Sequence, residues 1–99
     1  MTNFVVMFKL QPGPDYNDRY NSLMEKIDSI ASDGAWGETL SSIIFNCSST
    51  LDEVYDVLCM QSGFDLRQDT MLIIDVFNCQ KKTAGLISYP RTLNSCLGF

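Results

Sequence analysis

The sequence predicts a single α+β domain whose elements follow one another in the order β-α-β-β-α-β. The chain has 99 residues, which is the size of one ordinary domain. Its hydrophobic share of 45% is large enough for burial to offset the entropy lost on folding. The spacing of the apolar residues changes between period two and period 3.6 along the chain, which is typical of strands alternating with helices.

The first strand is predicted over residues 3–10, which are rich in β-branched and aromatic side chains. It ends at the segment Gln11-Pro12-Gly13-Pro14, which continues neither a strand nor a helix. The first helix begins near Tyr16, with Asp15 as the predicted N-cap and Gly34 as the C-terminal stop. Its apolar face is predicted to contain Tyr16, Tyr20, Leu23, Met24, Ile27, Ile30 and Ala31.

A hairpin and a second helix are predicted in the middle of the chain. Strands two and three cover residues 36–40 and 42–48, with a tight connection between them. Thr50 and Glu53 form a capping-box pattern, and the second helix that they begin ends near Gly63. Strand four covers residues 71–79, with Leu72, Ile74 and Val76 on one apolar face and Asp75 on the other.

Two β-α-β passages with a hairpin between them predict a ferredoxin-like fold, a four-stranded antiparallel sheet with both helices on one face. This domain is assigned to residues 1–79. Residues 80–99 form a basic C-terminal tail without acidic residues. The sequence leaves three alternatives for the tail. It could add a fifth strand to the sheet, exchange with a neighbouring copy of the chain, or stay loose.

Charge is distributed unevenly between the predicted domain and the tail. The four cations and twelve acids of residues 1–79 leave a net charge of −8, which repels nucleic acid. The tail contributes Lys81, Lys82 and Arg91 as candidate phosphate contacts. No membrane span is predicted, because no apolar run approaches the ~20 residues that one requires.

We expect a cytoplasmic protein with neither a bound metal nor another cofactor. The first residues lack the basic region of an export signal, so Cys47, Cys59, Cys79 and Cys96 are expected as free thiols. The sequence has no histidine and no C-x-x-C pair, which disfavours structural zinc. Histidine is also the usual base that activates a catalytic cysteine.

The first strand is apolar on both of its faces, which predicts that something covers the second face of the sheet. One alternative is that the tail folds over this face within the chain. The other is a homodimer in which two open faces or two tails pair. The interface residues predicted for a dimer or another partner are Phe4, Val5, Met7, Phe8, Phe77, Leu86, Ile87 and Tyr89.

The segment from Phe8 to Tyr16 resembles the strand-loop-helix opening of the SinR-like proteins. These are small ferredoxin-like relatives of the CRISPR adaptation endonuclease subunit and of the VapD ribonuclease toxins. The resemblance extends through Gly34-Ala35-Trp36 and Ser49-Thr50-Leu51 and covers roughly residues 3–79. It implies a ferredoxin-like fold and, in the nuclease members, a divalent metal held by the dimer through an aspartate that ends strand one.

This chain departs from the nuclease members at that aspartate, because the corresponding triplet is Phe8-Lys9-Leu10. An ammonium group cannot ligate a hard cation. Asp75 is then the one weak candidate for a catalytic residue, as a general base within an apolar strand. The alternative role for Asp75 is structural, as an outward charge that protects an edge strand from aggregation.

The sequence therefore favours a non-enzymatic, acidic, dimeric protein that acts through protein contacts. Its predicted role is regulatory or inhibitory towards a nucleic-acid-handling partner, since an acidic body is complementary to a basic groove. One alternative is a metal-dependent ribonuclease or deoxyribonuclease, as the resemblance implies. A further alternative is a nucleic-acid binder that uses the basic tail.

Overall fold

A computed structural model describes residues 1–39 and 41–99 and places five strands in one antiparallel sheet with the order β2-β3-β1-β4-β5. The mixed α+β architecture is as predicted. The predicted connection between strands two and three falls partly on residue 40, outside the described residues. The strands are β1 Thr2–Lys9, β2 Ala35–Trp36, β3 Ser42–Cys47, β4 Thr70–Asp75 and β5 Gln80–Gly85.

The described residues also form three α-helices, α1 Tyr16–Ile30, α2 Leu51–Tyr55 and α3 Pro90–Leu97. The capping box predicted before α2 is confirmed. The Thr50 hydroxyl accepts a hydrogen bond from the Glu53 amide at 3.2 Å, and the Glu53 carboxylate accepts one from the Thr50 amide at 2.8 Å. These bonds lower the pKa of Glu53. The helix continues beyond Tyr55 as a π-helical segment, Asp56–Met60.

The ends of α1 differ from the prediction. Asp15 occupies the N-cap position, but its side chain makes no capping hydrogen bond and instead lies 3.5 Å from Arg19 Nε. The helix ends at Ile30, four residues before Gly34. Gly34 has a φ of +83° and belongs to the turn that leads into β2, so it reverses the chain rather than capping the helix.

The sheet has five strands rather than the four predicted. The predicted strand over residues 71–79 is in fact β4 followed by a turn, and the tail then returns beside β4 as β5. Asp75 makes this turn, because its carboxylate accepts hydrogen bonds from the Asn78 amide at 3.1 Å and from Asn78 Nδ2 at 2.8 Å. Of the three alternatives for the tail, a fifth strand is correct for Gln80–Gly85.

The core lies between α1, α2 and one face of the sheet. Phe4 and Phe8 are 0% and 7% exposed within it, which corrects their assignment to a partner interface. Their burial follows from the alternation of β1, which directs Phe4, Val6 and Phe8 towards the helices. The other main core residues are Leu23, Ile27, Ile43, Phe45, Val54, Leu58, Met71 and Ile73.

A buried ion pair between Arg19 and Asp69 joins α1 to the loop before β4. Asp69 is fully buried and Arg19 is 8% exposed. Arg19 Nη1 donates to Asp69 Oδ2, and Nη2 donates to the Gln11 carbonyl at 2.6 Å. Asp69 also accepts from the Gln11 amide at 2.8 Å and the Asp65 amide at 2.9 Å. The sequence pattern does not predict this pair, because Arg19 and Asp69 lie 50 positions apart.

Two glycines allow the chain to approach this ion pair closely. A Cβ atom on Gly85 would lie 1.8 Å from the Asp69 carbonyl oxygen, and a Cβ on Gly63 would lie 2.8 Å from Arg19 Cα. Gly85 also has a φ of +81°, which side chains rarely adopt. The Asp69 carbonyl accepts a hydrogen bond from the Leu86 amide at 2.9 Å, so the end of β5 is attached at the same point.

We predict that Asp69→Ala lowers the free energy of unfolding by about 3–5 kcal/mol, because it leaves the Arg19 guanidinium buried without its partner. Urea denaturation followed by circular dichroism measures this change. Asp28→Asn, which alters an exposed carboxylate of α1, is the control and should change stability by less than about 0.5 kcal/mol. Similar midpoints for Asp69→Ala and the wild type would contradict a structural role for the pair.

A second prediction compares two glycines with nearly the same backbone angle. Gly34→Ala meets no atom within 4 Å and should cost only the strain of a positive φ, about 1 kcal/mol. Gly85→Ala should cost at least about 2 kcal/mol more, since the methyl group collides with the Asp69 carbonyl. Thermal and urea unfolding of both variants measure the difference, and equal losses would show that Gly85 is not sterically constrained.

Candidate functional site

The face of the sheet opposite the helices carries a continuous row of apolar side chains. Trp36 is paired with Ile44, Ile44 with Val5, and Val5 with Ile74 across four adjacent strands. Neighbouring strands lie about 4.8 Å apart, so side chains in register contact one another. We call this surface the open face.

A second row crosses the open face beside the first. Met7 is paired with Ser42 on one side and with Leu72 on the other. Trp36 is 51% exposed, and Ile44 and Met7 are each 44% exposed, whereas Leu72 is half-buried. A contiguous exposed patch of this kind is typical of a surface that binds another molecule.

The C-terminal end of the chain reaches the margin of the open face at β5. Lys81 Nζ donates a hydrogen bond to the Phe99 carbonyl at 2.6 Å and lies 5.5 Å from the centre of the Phe99 ring. Leu93, Leu97 and Phe99 are half-buried, while no residue of α3 is buried. The tail therefore covers the face incompletely, and the side formed by β2, β3 and β1 keeps its exposed apolar residues.

A groove of about 450 Å³ lies at the β2 end of the open face. Asn46 Nδ2 donates to Asp33 Oδ2 at 3.2 Å, while Asn46 Oδ1 is buried and has no hydrogen-bond partner among the described residues. The Ser32 amide donates to the Asn46 carbonyl at 2.8 Å, which holds the end of α1 against β3. The groove is lined by Asn3, Asp33, Gly34, Ala35, Trp36, Ile44, Phe45 and Asn46.

Lys9 and Asp75 differ in their surroundings, because Lys9 is exposed and Asp75 is buried. Lys9 is exposed at the end of β1, in register with Thr70. Asp75 is 3% exposed on β4, an inner strand of the sheet, so it is not an outward charge on an edge strand. Its two oxygens are occupied by Asn78. No cluster of three or more Asp, Glu, Cys or His residues suited to a metal exists within residues 1–39 and 41–99.

The cations of the tail do not form one basic patch. Lys82 faces the helices, where its Nζ lies 2.8 Å from Asp52 Oδ1 and 4.8 Å from the centre of the Tyr55 ring. The hydrogen bond with Asp52 raises the pKa of Lys82. Lys81 lies on the opposite face of β5, because successive residues of a strand alternate. Arg91 is exposed on α3.

The remaining predicted interface residues lie on three parts of the chain. Val5 and Met7 are on the open face, and Phe77, which is 85% exposed, is in the turn between β4 and β5. The others follow β5, where Tyr89 and Leu86 are exposed and Ile87 is half-buried. Ile44 and Trp36 are also exposed on the open face, although the sequence did not predict them as surface residues. The register of β3 identifies both, since Ile43 faces the core and Ile44 must then face outward.

The cysteines do not form a reactive centre in the described residues. Cys47 and Cys59 are buried in the core, and Cys79 and Cys96 are exposed. Burial raises the pKa of Cys59 to about 12, so its thiol is protonated at neutral pH. The Cys59 and Met71 sulfur atoms lie 3.4 Å apart, which indicates that Cys59 has a packing role.

Comparison of the chain with protein-family models, curated proteins and solved structures finds no match. The resemblance to the SinR-like proteins therefore stays a prediction. None of the described helices has the length and apolar character needed to cross a membrane. The open face, the groove beside Trp36 and the distribution of charge are the features on which a functional proposal depends.

Proposed function

We propose that this protein is a non-enzymatic homodimer that regulates or inhibits a nucleic-acid-handling partner through protein contacts. The observation that carries the proposal is the separation of two surfaces, an exposed apolar sheet face and an acidic helix layer. The apolar face binds a second copy of the chain. The acidic layer is complementary to the basic surface with which the partner holds nucleic acid.

The proposal includes a ferredoxin-like core that resembles the SinR-like proteins. The order β2-β3-β1-β4 supports it, because this is the order in which a split β-α-β arrangement interleaves its strands. The fifth strand extends that core at the β4 edge. The dimeric state of those relatives is consistent with pairing through the sheet, although the metal-binding aspartate is replaced by Lys9.

The centre of the open face has the chemistry of a dimer interface. Val5, Met7 and Ile44 are apolar, and the charged strand residues on this face, Lys9 and Lys81, lie at a strand end and on an edge strand. Interface centres are depleted in charge relative to their rims. A two-fold axis near β1 would pair this patch with itself, as in most homodimers.

The helix layer supplies the acidic surface. Asp18, Glu25 and Asp28 are exposed on α1, and Asp52 and Asp56 are exposed at α2 and the segment that follows it. Lys26 is half-buried, and Lys82 already pairs with Asp52. An excess of one charge on one surface steers a partner of opposite charge and accelerates association.

The alternative functions lack comparable support in the described residues. A metal-dependent nuclease requires carboxylates that converge on a cation, and Asp69 and Asp75 are each occupied by buried hydrogen bonds. A nucleic-acid binder that uses the tail requires several phosphate contacts on one surface. Lys81 and Lys82 instead lie on opposite faces of β5.

We predict that light scattering gives a mass twice the 11.2 kDa of one chain. Met7→Glu should dissociate this dimer, because it places a carboxylate in an interface from which water is excluded. Leu66→Glu is the matched control, since Leu66 is 39% exposed in the loop before β4 and should leave the dimer intact. A wild-type monomer at all concentrations, or a Met7→Glu dimer of unchanged stability, would refute pairing through the open face.

A separate prediction concerns the acidic layer. A partner captured from the native host should be retained less well by Glu25→Gln and by Asp28→Asn, and its capture should weaken as salt increases. Glu38→Gln removes the same charge from the connection after β2 and should have little effect. Capture of no specific partner, or equal loss in all three variants, would contradict a role for the helix layer.

A further inference from the structure

The groove beside Trp36 contains two hydrogen-bond acceptor groups, Asp33 and Asn46, that are not fully paired. The Asp33 side chain receives one hydrogen bond, from Asn46 Nδ2 to its Oδ2 atom, and it forms no ion pair with the described residues. Asn46 Oδ1 is covered and has no donor. The exposed Asp33 carboxylate therefore has acceptor capacity left for a ligand that donates hydrogen bonds.

The wall of the same groove is aromatic. The Trp36 indole is 51% exposed beside the half-exposed Ile44 side chain. The face of an indole ring attracts cations more strongly than other aromatic rings do. A carboxylate next to an exposed indole therefore favours a positively charged ligand over a neutral or an anionic one.

These groups are held in place before any ligand binds. Asn46 is paired with Asn3 within the sheet and positions the Asp33 carboxylate by its own amide. The backbone of Trp36 is held by pairing with Ile44. A preorganised site loses little conformational entropy when it binds.

We infer that this groove binds the guanidinium group of an arginine side chain presented by the partner protein. A guanidinium is planar, so it stacks on the Trp36 indole while its N–H groups point at the Asp33 carboxylate. The inference rests on the proposed function, because it names a second contact of the same basic partner, at the β2 edge of the sheet.

The position of the groove is compatible with the proposed dimer. β2 is an edge strand, whereas Val5 and Met7 belong to the central strand β1. The groove therefore opens at the margin of the face that the second copy covers. The groove is shallow and open to solvent, which leaves room for the residues that flank the arginine.

The test uses the fluorescence of Trp36, the only tryptophan in the chain. The full chain is titrated with three capped tripeptides, Gly-Arg-Gly, Gly-Lys-Gly and Gly-citrulline-Gly, at low salt. The arginine peptide should change the emission saturably, with an affinity about fivefold higher than the lysine peptide. The neutral citrulline peptide should produce no saturable change. Equal binding of the three peptides, or no saturable change with arginine, would overturn the inference.

Variants of the chain separate the groove from general charge attraction. Asp33→Asn should weaken arginine binding by about fivefold or more, because it removes the carboxylate that faces the guanidinium. Glu38→Gln removes the same charge from the connection after β2, outside the residues that line the groove, and should leave binding unchanged. Circular dichroism confirms that both variants are folded. Equal affinities for Asp33→Asn and the wild type would overturn the assignment of Asp33.

These experiments distinguish a failure of the arginine site from a failure of the proposed function. If the arginine peptide does not bind while Glu25→Gln weakens capture of the partner, the arginine site is wrong and the acidic layer stands. If the peptide binds but neither salt nor the helix variants affect capture, the groove stands and the proposed use of the helix layer is wrong.

Discussion

The buried ion pair between Arg19 and Asp69 is the constraint on which the rest of the fold depends. The two residues are 50 positions apart, and their network also holds Gln11 and Asp65. Removing two charges from water is costly unless each finds several partners. The loop after β1, the helix α1 and the loop before β4 must therefore meet at one point, which sets the position of α1 over the sheet.

The backbone of Asp69 extends this constraint to the tail. Its carbonyl receives the Leu86 amide beside Gly85, where there is no room for a Cβ atom. The end of β5 is thereby attached to the same corner as α1, and the sheet gains an edge strand. With both long helical segments on one face, the other face keeps Met7, Ile44 and Trp36 exposed.

Several elements were predictable because their signals are local. Thr50 and Glu53 identify the start of α2 through a contact between residues three positions apart, and the helical spacing of Leu23 and Ile27 identifies the buried side of α1. The prediction was wrong at β4, where Val76 and Phe77 are apolar like a strand but are exposed in a turn. The strand ends there because the Asp75 carboxylate accepts hydrogen bonds from Asn78. The residue composition of this segment does not indicate those bonds. The groove was not predicted, because Asp33 and Asn46 meet only when β3 pairs beside the end of α1.

The sequence by itself determined the α+β class, the order of the first elements and the excess of acid, since these depend on composition and on neighbours along the chain. Only the tertiary structure decided that Phe4 and Phe8 are core while Trp36 and Ile44 are surface, because strand register selects the face of every side chain. The tertiary structure also decided that the tail adds a strand to the sheet and that Arg19 forms an ion pair with Asp69. Contacts between distant residues carry no local pattern, so their geometry becomes visible only when the chain is folded.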